Sequence, residues 1–405
     1  MGAAGRVEIH GHLQQEWRTE LIAIADWWVT HSQDLDQGGF YGEIDAQNCP
    51  VAGASKGVIL NTRILWFFSE VARVLDKPEY QQCARRAYGY LLAHFFDTQQ
   101  GGVYWELDAA GQPLNTKKQI YAQAFAIYAL CAYHQLTGEA EALTRALDCF
   151  ALIERYGVDR EREGYLEAFA RDWSPLEDIR LSDKDLNFPK SQNTHLHVLE
   201  AYTSLYQVHP TTEVANALRY NIQLFDKYMI DKRTHHLRMF MDIDWTDHSP
   251  GFTYGHDIEA SWLIARALDA LNDAELTAHL TPTLIRIAEV TLEEAVGEQG
   301  QVLDAYDFAS RQVSPANVWW VQAEALVGFL YAFAATGDEK YFYAAEGVWR
   351  FIQRYQIDAE RGEWLWLSSL DTSPAQAPYK LGFWKCPYHN GRAMIEAGRY
   401  LQLAK

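Results

Sequence analysis

Three pairs of polar side chains are the residues of this chain whose types and spacing could do chemistry. Each pair joins an imidazole to a second polar group three or four residues away: Asn193 with His197, His256 with Glu259, and His389 with Arg392. Residues at these separations share one face of a helix, so the members of each pair project together. Imidazole titrates near neutral pH and can both take and give a proton. Three imidazoles placed in this way predict general acid–base catalysis.

A metal site and ordinary packing are the other interpretations of such residues. A His and a Glu three residues apart, with a further His elsewhere, could bind zinc or manganese. The chain has no HExxH sequence and no paired-cysteine spacing, so we predict no metal. Four histidines outside the three pairs are interpreted as structural: His195, His235, His236 and His248.

A turn that recurs along the chain indicates which elements position the polar pairs. Each copy is a turn followed by a stub of apolar or aromatic residues, and the copies begin at Asp34, Asp97, Asp159, Asp231, Glu298 and Asp358. The glycines of neighbouring clear copies lie 62 or 63 residues apart, as Gly39 and Gly102 do, and the copy at Asp231 is degenerate. A period of this length is typical of stacked supersecondary repeats.

Two helical patterns lie between successive turns, so the repeating unit is a helix pair that must stack on its neighbours to bury its apolar face. Helices are predicted at about 12–32, 57–76, 79–96, 117–137, 139–156, 190–208, 211–229, 255–271, 274–295, 316–336, 339–356 and 388–403. Six helix pairs predict a single all-α domain over residues 1–405, an (α/α)6 barrel. The alternative is an open helical solenoid, whose exposed ends would call for polar capping repeats that the sequence lacks.

The polar pairs fall at the starts of alternate predicted helices, so the barrel is expected to gather them in a funnel at one end. The stretches 174–189 and 368–379 are predicted to cover this funnel. Substrate preference is assigned to the loops at 174–189, 240–254 and 368–383. The chain also carries 14 tryptophans, whose faces suit the C–H faces of sugars when they are exposed beside a polar site. Trp319 is interpreted as a core residue.

Composition limits the possible partners and the compartment. The chain has 405 residues and a formal net charge of -19, which opposes binding to nucleic acid or to an anionic membrane surface. Residues 1–9 lack the pattern of a signal peptide, and no apolar window approaches the roughly 20 residues that span a bilayer. Five cysteines without CxxC spacing predict reduced thiols. We expect a cytoplasmic protein that is a monomer or a weak homodimer.

Five segments, in order along essentially the whole chain, carry a resemblance to a known family. They are NTRILWFFS from Asn61, KSQNTHLHVLEAY from Lys190, YGHDIEASW from Tyr254, WWVQAE from Trp319 and WKCPYHNGR from Trp384. Together they resemble the cellobiose 2-epimerase branch of the N-acylglucosamine 2-epimerase superfamily. The resemblance implies an (α/α)6 barrel and a cofactor-independent reaction at C2 of a reducing sugar. No Gly-rich phosphate-binding loop is present, so an ATP effector site is not predicted.

The resemblance also implies roles for individual residues. His389 and His256 would be the acid/base pair at C2, with His197 and Glu259 assisting ring opening and proton transfer. Sugar oxygens around C1 to C3 would be bound by Arg63 and Asn193. The sugar subsites would be shaped by Trp320 and Trp384. Further pocket positions are Tyr121, Asp185, Trp262, Glu324 and Arg392.

Several functions remain open at this point. Epimerisation of the reducing glucose of a β-1,4-linked disaccharide, such as cellobiose or lactose, is the first interpretation. The same residues could act on free monosaccharides, as a mannose 2-epimerase, or as a mannose isomerase if the proton returns to C1. A glycoside hydrolase is the third, although it requires two carboxyl groups across the scissile bond. A sugar-binding protein without activity would have no use for three placed imidazoles.

Overall fold

Twelve α-helices run through the part of the chain that this computed structural model describes, residues 3–371 and 379–403, with side chains from His10 onward. Their bounds, α1 to α12, are Ala3–His31, Val58–Leu75, Pro78–Tyr90, Ile120–Thr137, Ala140–Leu152, Gln192–Val208, Thr212–Leu224, Tyr254–Leu271, Ala274–Ala295, Trp319–Thr336, Glu339–Phe351 and His389–Leu403. Among the described residues, no helix has the length and apolar character needed to cross a membrane.

The even-numbered helices form an inner ring and the odd-numbered helices an outer one, so the chain is an (α/α)6 barrel, as predicted. Each of α2, α4, α6, α8 and α10 contacts the next even-numbered helix. The ring closes between α12 and α2, where a side chain at Gly391 would come within 2.4 Å of the Phe67 ring. Glycine at this position therefore permits the close approach of the two helices.

Burial explains which helices are inside. In α4, for example, every residue from Ile120 to Tyr133 is buried. The outer helix α5 buries only one stripe, at Ala142, Ala146, Cys149 and Phe150. A helix that is buried on all sides belongs inside, whereas a one-sided helix faces solvent.

The recurring turns are hairpins that link each outer helix to the next inner one. Isolated antiparallel β-bridges span them, namely Gln33 with Phe40, Phe96 with Val103, Val158 with Tyr165, Ile230 with Leu237, Val296 with Val302 and Ile357 with Trp364. The degenerate copy keeps the turn because His235 adopts the left-handed conformation, with φ of 64°. The predicted six-fold repeat and its stubs of strand are thus present.

Short strands precede or flank the inner helices. In chain order, β1 to β10 are Lys56–Gly57, Glu106–Leu107, Pro113–Asn115, Lys118–Gln119, Ala168–Phe169, Lys190–Ser191, Phe240–Met241, Gly251–Thr253, Ala305–Asp307 and Gln312–Val313. All pair antiparallel, in the orders β1-β2-β3, β10-β9-β8, β4-β5 and β6-β7. The strands β4 and β6 occupy the first residues that the sequence assigned to helices at 117 and 190.

Four buried lysines fasten the hairpins to the starts of inner helices. Each lysine lies in the segment before an inner helix and pairs with the first aspartate of the preceding turn: Lys56 with Asp34, Lys118 with Asp97, Lys190 with Asp159 and Lys380 with Asp358. Each ammonium group also donates to a backbone carbonyl of that turn, as Lys56 does to Gly38. A buried charge needs such partners.

The helix boundaries differ from the prediction at two kinds of place. Helix α1 begins at Ala3 and not near residue 12, because Gly5 and Gly11 weaken the sequence signal without ending the helix. Four outer helices end in five-residue π-helical segments, Leu91–Phe95, Ile153–Gly157, Phe225–Met229 and Ile352–Gln356, which the sequence had assigned to α-helix.

Candidate active site

The N-terminal ends of the inner helices surround a cavity of about 420 Å³, which we call the front cavity. Ten of the residues singled out in the sequence line it: Arg63, Tyr121, Asp185, Asn193, His197, His256, Glu259, Trp320, Trp384 and His389. They come from all six inner helices and the loops before them. The barrel therefore brings together side chains that lie more than 300 residues apart in the sequence.

Part of the predicted cover is present. The segment 181–185 of the first predicted loop lines the front cavity. None of the described residues of 240–254 or 368–383 lines it, and residues 372–378 lie outside the described residues.

Three further predicted residues do not line the front cavity but lie beneath it. Trp262, Glu324 and Arg392 are almost fully buried, each no more than 1% exposed. The guanidinium group of Arg392 donates to Glu259 and to Glu324, both at 2.6 Å. The Trp262 indole N–H donates to Glu324 at 3.0 Å. These side chains hold the cavity residues in place.

His389 is fixed by this buried layer. Its Nδ1 lies 2.6 Å from Oε1 of Glu324. Since Arg392 and Trp262 already donate to this carboxyl group, Glu324 accepts and the imidazole donates through Nδ1. The lone pair of Nε2 is then left for the cavity, which is the arrangement of a general base.

His197 has a carboxylate partner that the sequence analysis missed. Its Nδ1 lies 3.0 Å from Oε2 of Glu200, which also accepts from the Tyr388 hydroxyl and from Arg392. Although burial opposes ionisation, Arg392 and the bond from His197 lower the pKa of Glu200 to about 2. Glu200 therefore stays charged and fixes His197 with its hydrogen on Nδ1. The spacing of three residues between the two was a signal available in the sequence.

His256 is held differently. Its Nδ1 lies 2.6 Å from the hydroxyl of Thr253, the residue that caps α8. Burial, with repulsion from His197, lowers the pKa of His256 to about 3. Burial and the nearby arginines likewise lower the pKa of His389 well below its usual range. Both imidazoles are thus neutral at neutral pH and able to accept a proton.

Arg63 supplies a fixed positive charge at the cavity wall. Its guanidinium lies over the rings of Phe125 and Tyr388, at 4.4 and 4.3 Å, and donates to the Tyr121 hydroxyl at 2.9 Å. Its Nε is buried and has no hydrogen-bond partner among the described residues. The same holds for Oδ1 of Asn193 and Oε2 of Glu259. Buried polar atoms without partners are uncommon. A ligand rich in hydroxyl groups would satisfy these three.

Tryptophans form the apolar walls of the cavity. Trp320 lies 4.8 Å from the ring of His256 and 5.5 Å from that of His389, so one indole contacts both imidazoles. Trp319 is 3% exposed and packs on Trp366 at 4.2 Å, yet both also line the cavity. The interpretation of Trp319 as a core residue was therefore incomplete, and Trp366 was missed because nothing near it in the sequence marks it.

The histidines that the sequence analysis set aside lie outside the front cavity. His195 is buried, with Nδ1 at 2.7 Å from the Ser191 carbonyl and Nε2 accepting from the Tyr165 amide. His236 packs between Asp257 and Phe252. Their positions agree with a structural role.

Glu259, Glu324 and His389 are close enough to hold a metal ion, since one potential ligand atom of each lies within 4.8 Å of the others. The guanidinium of Arg392 already lies between the two carboxyl groups, however, and donates to both. A divalent cation there would face this positive charge at short range. The donor set therefore fits a proton-transfer site better than a metal centre.

Comparison with known proteins places this barrel among sugar-converting enzymes. The model of the family described as N-acylglucosamine 2-epimerase (GlcNAc 2-epimerase) matches residues 39–390. The chain belongs to the N-acylglucosamine 2-epimerase family.

Within this family the chain falls in the cellobiose 2-epimerase branch. A cellobiose 2-epimerase of Bacteroides fragilis is 43% identical, over 95% of this chain and 98% of that protein. One of Ruminococcus albus is 38% identical, over 94% and 97%. The solved structure of cellobiose 2-epimerase from Bacillus thermoamylovorans B4167 matches with a TM-score of 0.90 and 38% identity, covering 96% of this chain and 99% of that one. Membership of this family makes the chain an isomerase of the sugar 2-epimerase type.

Proposed function

We propose that the chain inverts C2 of the reducing-end glucose in β-1,4-linked disaccharides, converting cellobiose to glucosyl-mannose and lactose to epilactose through an enediolate. The relatives named cellobiose 2-epimerase support the disaccharide substrate. The observation that carries the chemistry is the pair of neutral imidazoles, His256 and His389, which both contact Trp320 in one cavity.

Inversion at C2 requires a base on one face of the carbon and an acid on the other. Either neutral imidazole can remove the C2 proton of the open-chain aldehyde. The negative charge that then develops on the enediolate favours uptake of a solvent proton by the second imidazole. This imidazole delivers the proton to the opposite face of C2, and the first imidazole releases the abstracted proton to solvent. The two imidazoles differ in their partners at Nδ1, which is a carboxyl group of Glu324 for His389 and a hydroxyl group of Thr253 for His256.

Ring opening must come first, and it needs a proton donor for the ring oxygen. Burial and the neighbouring Glu324 raise the pKa of Glu259 to about 7, even though Arg392 opposes this. Glu259 is therefore partly protonated at neutral pH, and its Oε2 has no partner among the described residues. His197, held by Glu200, can take the proton from O1.

The titration of Glu259 gives a pH prediction. If Glu259 is the proton donor, kcat/KM is expected to fall as the pH rises through about 7, by about tenfold per unit once the acid is ionised. The Glu259→Gln variant is expected to lose most of its activity, and its remaining kcat/KM is expected no longer to fall as the pH rises through about 7, which is the basic limb of the profile. An unchanged limb in that variant would assign the titration to another group. Rates from pH 5 to 9 on both proteins provide the measurement.

The enediolate oxygens need preorganised donors. Arg63 provides a cation that aromatic rings hold in place, and Asn193 offers an amide in the same cavity. The remaining walls, Trp320, Trp366 and Trp384, can cover the apolar faces of one or two sugar rings.

Solvent labelling tests the proposed proton transfer. In deuterated water, with cellobiose and no added metal or nucleotide, the epimer is expected to carry deuterium at C2, as seen by NMR. Product without solvent label would contradict proton abstraction and indicate a hydride shift. Parallel incubation with mannose separates the disaccharide from the monosaccharide alternative. Faster conversion of mannose than of cellobiose would show that the preferred substrate is a free monosaccharide. Free glucose released from cellobiose would indicate hydrolysis.

Removal of divalent ions is expected to leave the rate unchanged, because Arg392 already neutralises the carboxyl groups that could bind a metal. The measurement compares initial rates before and after dialysis against a chelator. Loss of activity that zinc or manganese restores would contradict this prediction, and dialysis without chelator is the control.

A further inference from the structure

A second cavity, of about 280 Å³, lies on the barrel axis at the end opposite to the front cavity. We call it the rear cavity. Its walls come from the C-terminal halves of α2, α4, α6, α8 and α12, and the residues that matter here are Glu70, Arg73, Ser204, Arg266, Glu396 and Arg399. Nothing in the proposed reaction uses any of them.

The charges of the rear cavity are paired within the cavity itself. Arg73 donates to Glu70 at 2.8 Å, Arg266 donates to Glu396, and Arg399 lies 3.8 Å from the same carboxyl group. The arginines are therefore not free to hold an anion, and the C-terminal ends of five inner helices add negative potential. A metal ion is equally disfavoured, because guanidinium groups surround the carboxylates. The lining chemistry selects a neutral ligand.

One atom indicates that a ligand is expected there. Glu396 is only 5% exposed, and its Oε2 accepts no hydrogen bond from the described residues. The Arg399 guanidinium forms an ion pair with this oxygen at 3.8 Å, which is longer than a hydrogen bond. A buried carboxylate oxygen without a donor is costly. Oε2 of Glu396 can accept a hydrogen bond from a hydroxyl group, and Trp66 and Tyr128 add aromatic wall. A compact polyol offers the donors that Glu396 lacks.

We propose that the rear cavity is a second binding site, for a neutral polyhydroxylated molecule of about the size of one sugar ring. Its floor is Glu200, which lines the rear cavity and also bonds His197 of the front cavity. The two cavities are thus separated by a single layer of side chains. The proposal concerns binding alone and does not depend on the reaction at C2.

The probe is 1,5-anhydro-D-glucitol, a cyclic polyol that has no reducing carbon and so cannot be turned over. Equilibrium dialysis with labelled probe compares the wild type with Ser204→Trp, which fills the half-buried rim of the rear cavity. The matched control is Thr144→Trp on the exposed face of α5. Ser204→Trp is expected to bind one equivalent per chain fewer than the wild type, and Thr144→Trp as many.

Equal stoichiometry in the wild type and Ser204→Trp would overturn the proposal, as would the absence of saturable binding to the wild type. If Ser204→Trp fails to fold, as judged by circular dichroism, a wild-type crystal soaked in the probe decides the question. Density for a sugar ring beside Glu396 supports the site, and water molecules alone overturn it.

Discussion

Replacement of His389 by asparagine is expected to lower kcat for C2 epimerisation of cellobiose by about 10²–10⁴-fold, the range that positioned acid–base groups contribute. His389 lines the front cavity, and Glu324 fixes the hydrogen on its Nδ1. Asparagine is polar but cannot carry the C2 proton. Because binding of the sugar relies on other residues, KM is expected to change far less than kcat.

His248→Asn is the control for this substitution, since His248 is 39% exposed and lies outside the front cavity. It is expected to keep wild-type rates. A His389→Asn variant that folds, as judged by circular dichroism, and retains kcat within a few-fold would remove His389 from the chemistry. Loss of epimerisation with retained exchange of the C2 proton would instead assign only the second proton transfer to it.

Replacement of Arg392 by methionine is expected to have the largest effect on stability, a loss of about 3–5 kcal/mol in the free energy of unfolding. Arg392 is 1% exposed and donates to Glu200, Glu259 and Glu324. Methionine would leave three carboxyl groups in a buried layer without their cation. Urea unfolding at fixed pH measures the change.

The pH dependence of that loss follows from the same contacts. In the wild type, Arg392 holds the pKa of Glu200 at about 2. Without it, the pKa of the buried Glu200 carboxyl group rises above the unfolded value of about 4.3, and the pKa values of Glu259 and Glu324, which burial already raises in the wild type, rise further. The folded variant then binds protons that the unfolded chain releases, so its stability falls as the pH rises above about 4.3. The difference from the wild type is therefore largest at neutral and alkaline pH.

Arg399→Met in the same helix is the matched control. The Arg399 side chain is 55% exposed, and exposed ion pairs contribute about 0–1 kcal/mol. A loss for Arg392→Met that is no larger than the loss for Arg399→Met would show that the buried network does not depend on its cation.

Much of the barrel was predictable because one turn recurs at a nearly constant period. The inner helices follow these turns, so polar residues in the first helical turns were bound to meet at one end. The depth of each residue was harder to predict. Three residues along a helix correspond to about 4.5 Å along its axis, so His389 reaches the cavity while Arg392 lies beneath it. Spacing alone made the two look equivalent.

Contacts between distant helices were beyond the sequence. The bond from Tyr388 to Glu200 joins the residue just before α12 to α6, across 188 residues. Trp366 lines the front cavity and packs on Trp319. The sequence around either tryptophan gives no indication of this contact. The rear cavity arises from the C-terminal ends of helices whose patterns predicted only packing.

The four buried lysine–aspartate pairs between hairpins and inner helices restrict how this barrel can change by duplication of a repeat. The anchor for one wall of the site belongs to the repeat before it: Asp97 holds Lys118 three residues ahead of Tyr121, and Asp159 holds Lys190 three residues ahead of Asn193. Deleting or inserting one such repeat would separate the lysine before the next inner helix from its aspartate, and it would also alter the ring of helices. New specificities are therefore expected to arise in the loops, with the number of repeats held constant.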